Sequence, residues 1–88
     1  MIMKDGLIIG SNGTIAWYLN GKFHKEDGPA IEYTHGTKGW YLNGKRHRLD
    51  GPALEWSNGY KEWWIDGQQV TCKTNEQFLR MIKLKEFW

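Results

Sequence analysis

Two histidines, each three residues ahead of an aspartate, are the first side chains in this chain that could do chemistry: His24 with Asp27, and His47 with Asp50. A His–Asp pair can orient an imidazole for acid–base work, and two histidines can share a metal ion. Asp27, Glu32, Asp50 and Glu55 could likewise serve as paired carboxylates. Yet each of these residues has a counterpart 23 positions away, and a residue that recurs with a fixed period is first a scaffold residue. Stacked units would leave the histidines roughly two strand spacings apart, ~10 Å, too far for one metal ion. The simpler reading is a His–Asp hydrogen bond that orders a loop, with the carboxylates facing a Lys/Arg row as cross-strand charge pairs. His35 stands where Asn58 stands one period later and reads as a turn residue. Cys72 has no phased histidine and no context that would lower its pKa. The chain is therefore read as a non-enzyme with no metal and no cofactor.

The period itself is the strongest signal. Residues 17–39 and 40–62, WYLNGKFHKEDGPAIEYTHGTKG and WYLNGKRHRLDGPALEWSNGYKE, match at 14 of 23 positions without a gap. The phrase restarts at Trp63-Trp64-Ile65-Asp66-Gly67 and stops, and a shortened copy of its second half opens the chain. The 88 residues then divide into a partial repeat (1–16), two full repeats (17–39 and 40–62), a partial repeat (63–72) and a tail (73–88), all in one small domain.

Composition narrows the class. Six Trp, four Tyr and three Phe supply the large apolar areas with which a thin architecture can be stabilised. Eleven Gly against two Pro indicates tight turns. A formal charge of +2 does not demand a nucleic-acid or membrane partner. One cysteine excludes an internal disulfide and suits a reducing compartment. No apolar run approaches the ~20 residues of a membrane helix, and Met1-Ile2-Met3-Lys4 lacks a signal-peptide core. A cytoplasmic protein is expected.

Each repeat carries two strand-like runs. Residues 14–19, 37–42 and 60–65 alternate, sending Trp17/Leu19, Trp40/Leu42 and Trp63/Ile65 to one face and Tyr18, Tyr41 and Trp64 to the other. Residues 30–34 and 53–57 form the second run, with an early copy at 7–9. Asn12-Gly13, His35-Gly36 and Asn58-Gly59 read as two-residue hairpin links. Asn20-Gly21 and Asn43-Gly44 open further tight turns, with short strands over 22–24 and 45–47, before Asp-Gly-Pro bends the chain. In the tail, Thr74 with Gln77 fits a capping box, and Phe78, Leu79, Met81, Ile82 and Leu84 give a helix an apolar surface. That helix would close the last repeat.

WYLNGKxHxxDGPAxE resembles a repeat found in small proteins of tailed phages and large DNA viruses, and is more distantly similar to MORN repeats. The resemblance covers residues 14–70, and the ending FLRMIKLKEFW resembles the ends of such phage proteins. The pattern departs from MORN at Lys25 and Arg48, where His-Gly is usual, and at Asp-Gly-Pro-Ala. What the resemblance implies is an all-β repeat of consecutive antiparallel hairpins, MORN-like with a 23-residue period, forming a twisted sheet capped by one C-terminal helix.

A sheet with rings on both faces offers more apolar surface than one helix can cover, and such patches mark interaction sites. The expected function is non-catalytic protein binding, through Tyr18, Tyr41, Trp64, Arg46 and Arg48, with Trp17, Trp40 and Trp63 as core. The resemblance makes this a phage-type stoichiometric inhibitor of a host protein, such as an antiviral defence component, in the host cytoplasm. The alternatives are a single-stranded nucleic-acid binder, since Lys22, Lys25, Lys45, Arg46 and Arg48 interleave with rings, and a self-associating structural module such as a homodimer. On this reading Tyr41→Ala with Arg46→Ala would reduce partner capture and leave stability nearly intact.

Overall fold

The computed structural model describes residues 5–84. Residues 1–4 and 85–88, where the Met1–Lys4 start and the expected last helical turn fall, lie outside the described residues. The chain is mostly antiparallel β-sheet built from hairpins, followed by one helix. Its extents are 43 × 28 × 17 Å, an elongated slab.

The strands are β1 (Gly6–Ile9), β2 (Ile15–Leu19), β3 (Lys22–Phe23), β4 (Ile31–Glu32), β5 (Lys38–Gly39), β6 (Tyr41–Leu42), β7 (Lys45–Arg46), β8 (Leu54–Glu55), β9 (Lys61–Ile65) and β10 (Gln68–Val70). The main sheet runs β1-β2-β4-β5-β8-β9-β10, with β3 beside β2, and β6 pairs with β7. Hydrogen bonds from Lys25 N to Tyr41 O (3.1 Å) and from Gly44 N to Phe23 O (2.9 Å) tie β6 to the β3 hairpin. Arg48 N to Trp64 O (3.2 Å) and Gly67 N to Arg46 O (2.9 Å) do the same one period on. The register also advances by the period: Ile8 faces Ala16, Ile31 faces Gly39 and Leu54 faces Glu62.

Two kinds of turn drive the meander. Asn20-Gly21, Asn43-Gly44 and Asp66-Gly67 hold φ between 47° and 81° at both residues, the two-residue geometry whose twist matches the flanking strands. The links at Asn12-Gly13, His35-Gly36 and Asn58-Gly59 are not two-residue turns as the sequence suggests. Each is a three-residue loop, closed by Gly10 N to Thr14 O, Tyr33 N to Thr37 O and Trp56 N to Tyr60 O. Only the glycine takes positive φ there. The preceding residue keeps an ordinary φ because its side chain bonds forward: Asn12 Oδ1 accepts from Thr14 N and Asn58 Oδ1 from Tyr60 N, each at 3.0 Å. His35 Nε2 lies 2.8 Å from Thr37 Oγ1.

The helix α1 (Asn75–Leu84) starts as the capping residues foretell, with Gln77 N donating to Thr74 Oγ1 at 3.1 Å. The reciprocal bond goes one residue further back, from Lys73 N to Gln77 Oε1. Phe78 is fully buried and packs with Trp63, Ile65 and Val70, with Met81 and Ile82 alongside. Leu79 and Leu84 point to solvent, so the apolar helical surface is narrower than its sequence suggests. No helix among the described residues is long and apolar enough to cross a membrane.

Candidate functional site

Directly paired residues share a face, and neighbours along a strand alternate. Trp17, Trp40 and Trp63 therefore lie on what we term the back of the sheet, and each receives a cover. Lys25 Nζ sits 4.2 Å from the Trp17 ring centre, and Arg48 Cζ sits 4.0 Å from that of Trp40. Both cations belong to the loops between the short return strand and the second run. At Trp63 the helix takes over, with Phe78 at 6.4 Å between ring centres and Asn75 Oδ1 accepting from the indole Nε1 at 3.1 Å. Trp63 is buried, while Trp17 and Trp40 stay half-buried under their cations. The expected tryptophan core is thus complete only where the helix closes it.

His24 and His47 do not bond Asp27 and Asp50. Their Nδ1 atoms accept the backbone N–H of Asn43 and Asp66, each at 3.0 Å, so each histidine caps the tight turn of the next unit. Asp5 Oδ1 does this for Asn20 N at 2.7 Å. An acceptor one unit upstream is what the turn requires, which accounts for the recurrence of histidine. Cross-strand neighbours Glu32, Lys38, Glu55 and Lys61 alternate in charge along one row. Arg48 binds Glu55 (3.0 Å), Asp50 (2.8 Å) and Pro52 O (3.1 Å). Among the described residues no three His, Cys, Asp or Glu side chains are grouped to hold a metal ion.

The other face, the front, carries three lines of side chains across the strands. The middle line, Ala16, Ile31, Gly39 and Leu54, is buried. Along the line nearer the two-residue turns, Tyr18 meets Phe23 at 5.1 Å and Phe23 meets Tyr41 at 5.2 Å between ring centres. Arg46 Nε donates to Tyr41 Oη at 3.2 Å, and its guanidinium lies 4.9 Å from the Trp64 ring centre. Tyr41 also lies down over the middle line: a Cβ added to Gly39 would come within 2.9 Å of Tyr41 Cε1. On the opposite side of that line stand Tyr33, Trp56 and Tyr60, exposed by 41%, 43% and 57%. The contacts on this face run between the rings themselves and Arg46, whereas those on the back come from the two loops and α1.

Four of the five residues expected to form a contact surface, Tyr18, Tyr41, Arg46 and Trp64, fall on this one face, Tyr18 reaching Tyr41 through Phe23 and Tyr41 reaching Trp64 through Arg46. Each is half-buried. Arg48 does not join them, because its loop carries it over Trp40 on the back. Lys22 and Lys45 pair with Leu19 and Leu42 and also belong to the back, so of the five basic residues only Arg46 stands among the front rings. The sequence reading missed Tyr33, Trp56 and Tyr60. The signal was present in the Ile31/Tyr33 and Leu54/Trp56 alternation, which puts them on the same face as Tyr41.

Cys72 is half-buried beside the helix core, and burial pushes its thiol up from the ordinary value. A raised pKa leaves less thiolate at neutral pH. Alkylation by iodoacetamide at pH 7.5 is therefore expected to run several-fold slower in the folded protein than in urea; equal rates would contradict the packing at this position.

Comparison of the chain with protein-family models, with curated proteins and with solved structures gives no match.

Proposed function

We propose that this chain is a non-catalytic, MORN-like repeat module that binds another protein through the ring-bearing front of its sheet. The observation that carries the reading is the asymmetry of cover: two loops and a helix shield the back, and the front is left with rings alone. From Tyr18 to Trp64 the patch spans about 19 Å across the strands and about 14 Å along them. That is roughly 270 Å², no larger than the apolar patches monomers ordinarily expose, so the types of side chain rather than the area support the reading. Tyr, Trp and Arg, the types found there, dominate interface energies. The charged side chains that stand among the front rings, Arg46 and Glu62, are engaged by Tyr41 and by Trp64 Nε1, which suits an apolar partner surface better than a phosphate backbone. The phage resemblance makes the most specific form of this reading a host-factor inhibitor acting by occlusion.

Capture from a lysate of the producing cell, with and without nuclease, tests the reading when wild type is run beside Trp56→Ala/Tyr60→Ala. These two rings are exposed, so the variant should keep its melting temperature within a few degrees and lose at least ten-fold in partner recovered. Capture that vanishes with nuclease, or that the variant retains, would overturn it.

A further inference from the structure

We propose that β1 is a self-pairing edge through which two copies of this chain join antiparallel into one continuous sheet, with Ile8 opposite Ile8 of the second copy. The equivalent strands one and two periods on, β4 and β8, are bonded on both sides, whereas among the described residues β1 is bonded to β2 alone. Leu7, Ile8 and Ile9 are exposed by 48%, 38% and 63%. Ile8 belongs to the front, and Leu7 and Ile9 to the back. A partner lying on one face would cover only part of this set, whereas a strand added in the plane of the sheet covers all of it. The edge also lacks the usual protection: residues 6–9 hold no Lys and no Pro, and from Gly6, which opens the strand at φ 89°, to Ile9 they pair with β2 without a skipped residue.

The register follows from the backbone. Gly10 N donates to Thr14 O at 2.8 Å, so the even-numbered residues of β1 direct their polar groups at β2. The N–H and C=O of Leu7 and Ile9 therefore point outward. A two-fold axis through Ile8 sets Leu7 against Ile9 of the second copy, twice, as hydrogen-bonded pairs with four bonds in all. It leaves Ile8 facing Ile8 as a close non-hydrogen-bonded pair. Residues 6–9 carry no charge, so no like charges oppose along the paired strands. The contact is isologous, uses up both β1 edges and closes at two copies. It is smaller than the ~800 Å² per partner of a standard interface, so the dimer forms in a concentration-dependent way. It does not depend on what the ring face binds.

The test is mild oxidation of single-cysteine variants in a Cys72→Ser background. Cα atoms in a close antiparallel pair are about 4.5 Å apart, within disulfide range. Leu7–Leu7 and Ile9–Ile9 would be about 9 Å apart, beyond it. Ile8→Cys is expected to give a covalent dimer, Leu7→Cys and Ile9→Cys alone to stay monomeric, and a mixture of those two to give the heterodimer. Sedimentation of the unmodified chain should show a monomer–dimer equilibrium that Ile8→Lys shifts at least ten-fold toward monomer, with the circular dichroism spectrum retained. A chain monomeric at all concentrations overturns the proposal. So does equal cross-linking at all three positions, or a dimer that Ile8→Lys leaves intact and Tyr60→Ala removes.

Discussion

Phe78→Ala is expected to remove most of the stability of this protein. The ring is fully buried and is the point at which α1 meets Trp63, Ile65 and Val70. Truncating a buried aromatic costs about 3–5 kcal/mol, the lost transfer energy plus the cavity left behind. A domain of this size holds only about 5–10 kcal/mol. The loss is also not local. Without Phe78, half-buried Met81 and Ile82 and the Asn75–Trp63 hydrogen bond are what remains among the described residues to hold the helix. Trp63 would lose the ring that stands where Lys25 and Arg48 stand over Trp17 and Trp40. Urea denaturation followed by tryptophan fluorescence should show the midpoint falling by more than half. A loss below about 1 kcal/mol would mean that the helix is not the cover of the last unit.

Tyr41→Ala with Arg46→Ala carries the second largest expected effect, about 2–3 kcal/mol. Tyr41 does three things: it packs at a tilt against Phe23, lies over Gly39, and accepts from Arg46. Large-to-small changes at such positions remove packing from every neighbour at once, and Gly39 has no side chain with which to fill the gap. Arg46 in turn bridges Tyr41 and Trp64. The two single changes should therefore be non-additive, with a coupling of about 0.5–1 kcal/mol in a double-mutant cycle. This reverses the expectation drawn from sequence, which treats both residues as contact surface with little bearing on stability. Thermal melts of the four proteins in the cycle decide it, and a double variant as stable as wild type would return Tyr41 to the role of a free contact residue.

The hairpins were legible because both kinds of turn carry their own chemistry. Asn-Gly between two strand-like runs marks a chain reversal in either loop length, and the alternation of Trp and Tyr assigns the faces without any knowledge of pairing. The helix was legible from Thr74, Gln77 and Phe78. Three features were not. The length of the loops at Asn12, His35 and Asn58 depends on a forward side-chain bond that looks the same in sequence as a two-residue turn. The histidines cap a turn 19 residues away, and nothing in the local motif distinguishes that partner from the aspartate three residues on. The side on which Arg46 and Arg48 lie depends on where β7 (Lys45–Arg46) ends. Two residues in one strand would share a face, but here the strand stops between them.

Among the candidate site residues, the sequence alternation put Tyr18, Tyr41 and Trp64 on one face of the sheet, and the strand pairing places them so. The sequence reading misjudged which rings on that face are free. In a strand read alone, a large aromatic on the polar side looks exposed. In the sheet, cross-strand neighbours lean on one another, as Tyr18, Phe23 and Tyr41 do, and become half-buried. Tyr33, Trp56 and Tyr60 sit where the strands give way to loops and have fewer neighbours to lean on.

Nuclear magnetic resonance of the indole N–H groups, recorded while the captured protein partner is titrated in, tests the assignment of the front face most directly. The resonances of Trp56 and Trp64 should shift or broaden, and those of Trp17, Trp40 and Trp63 should stay in place. Shifts confined to Trp17 and Trp40 would put the partner on the covered side and contradict the account.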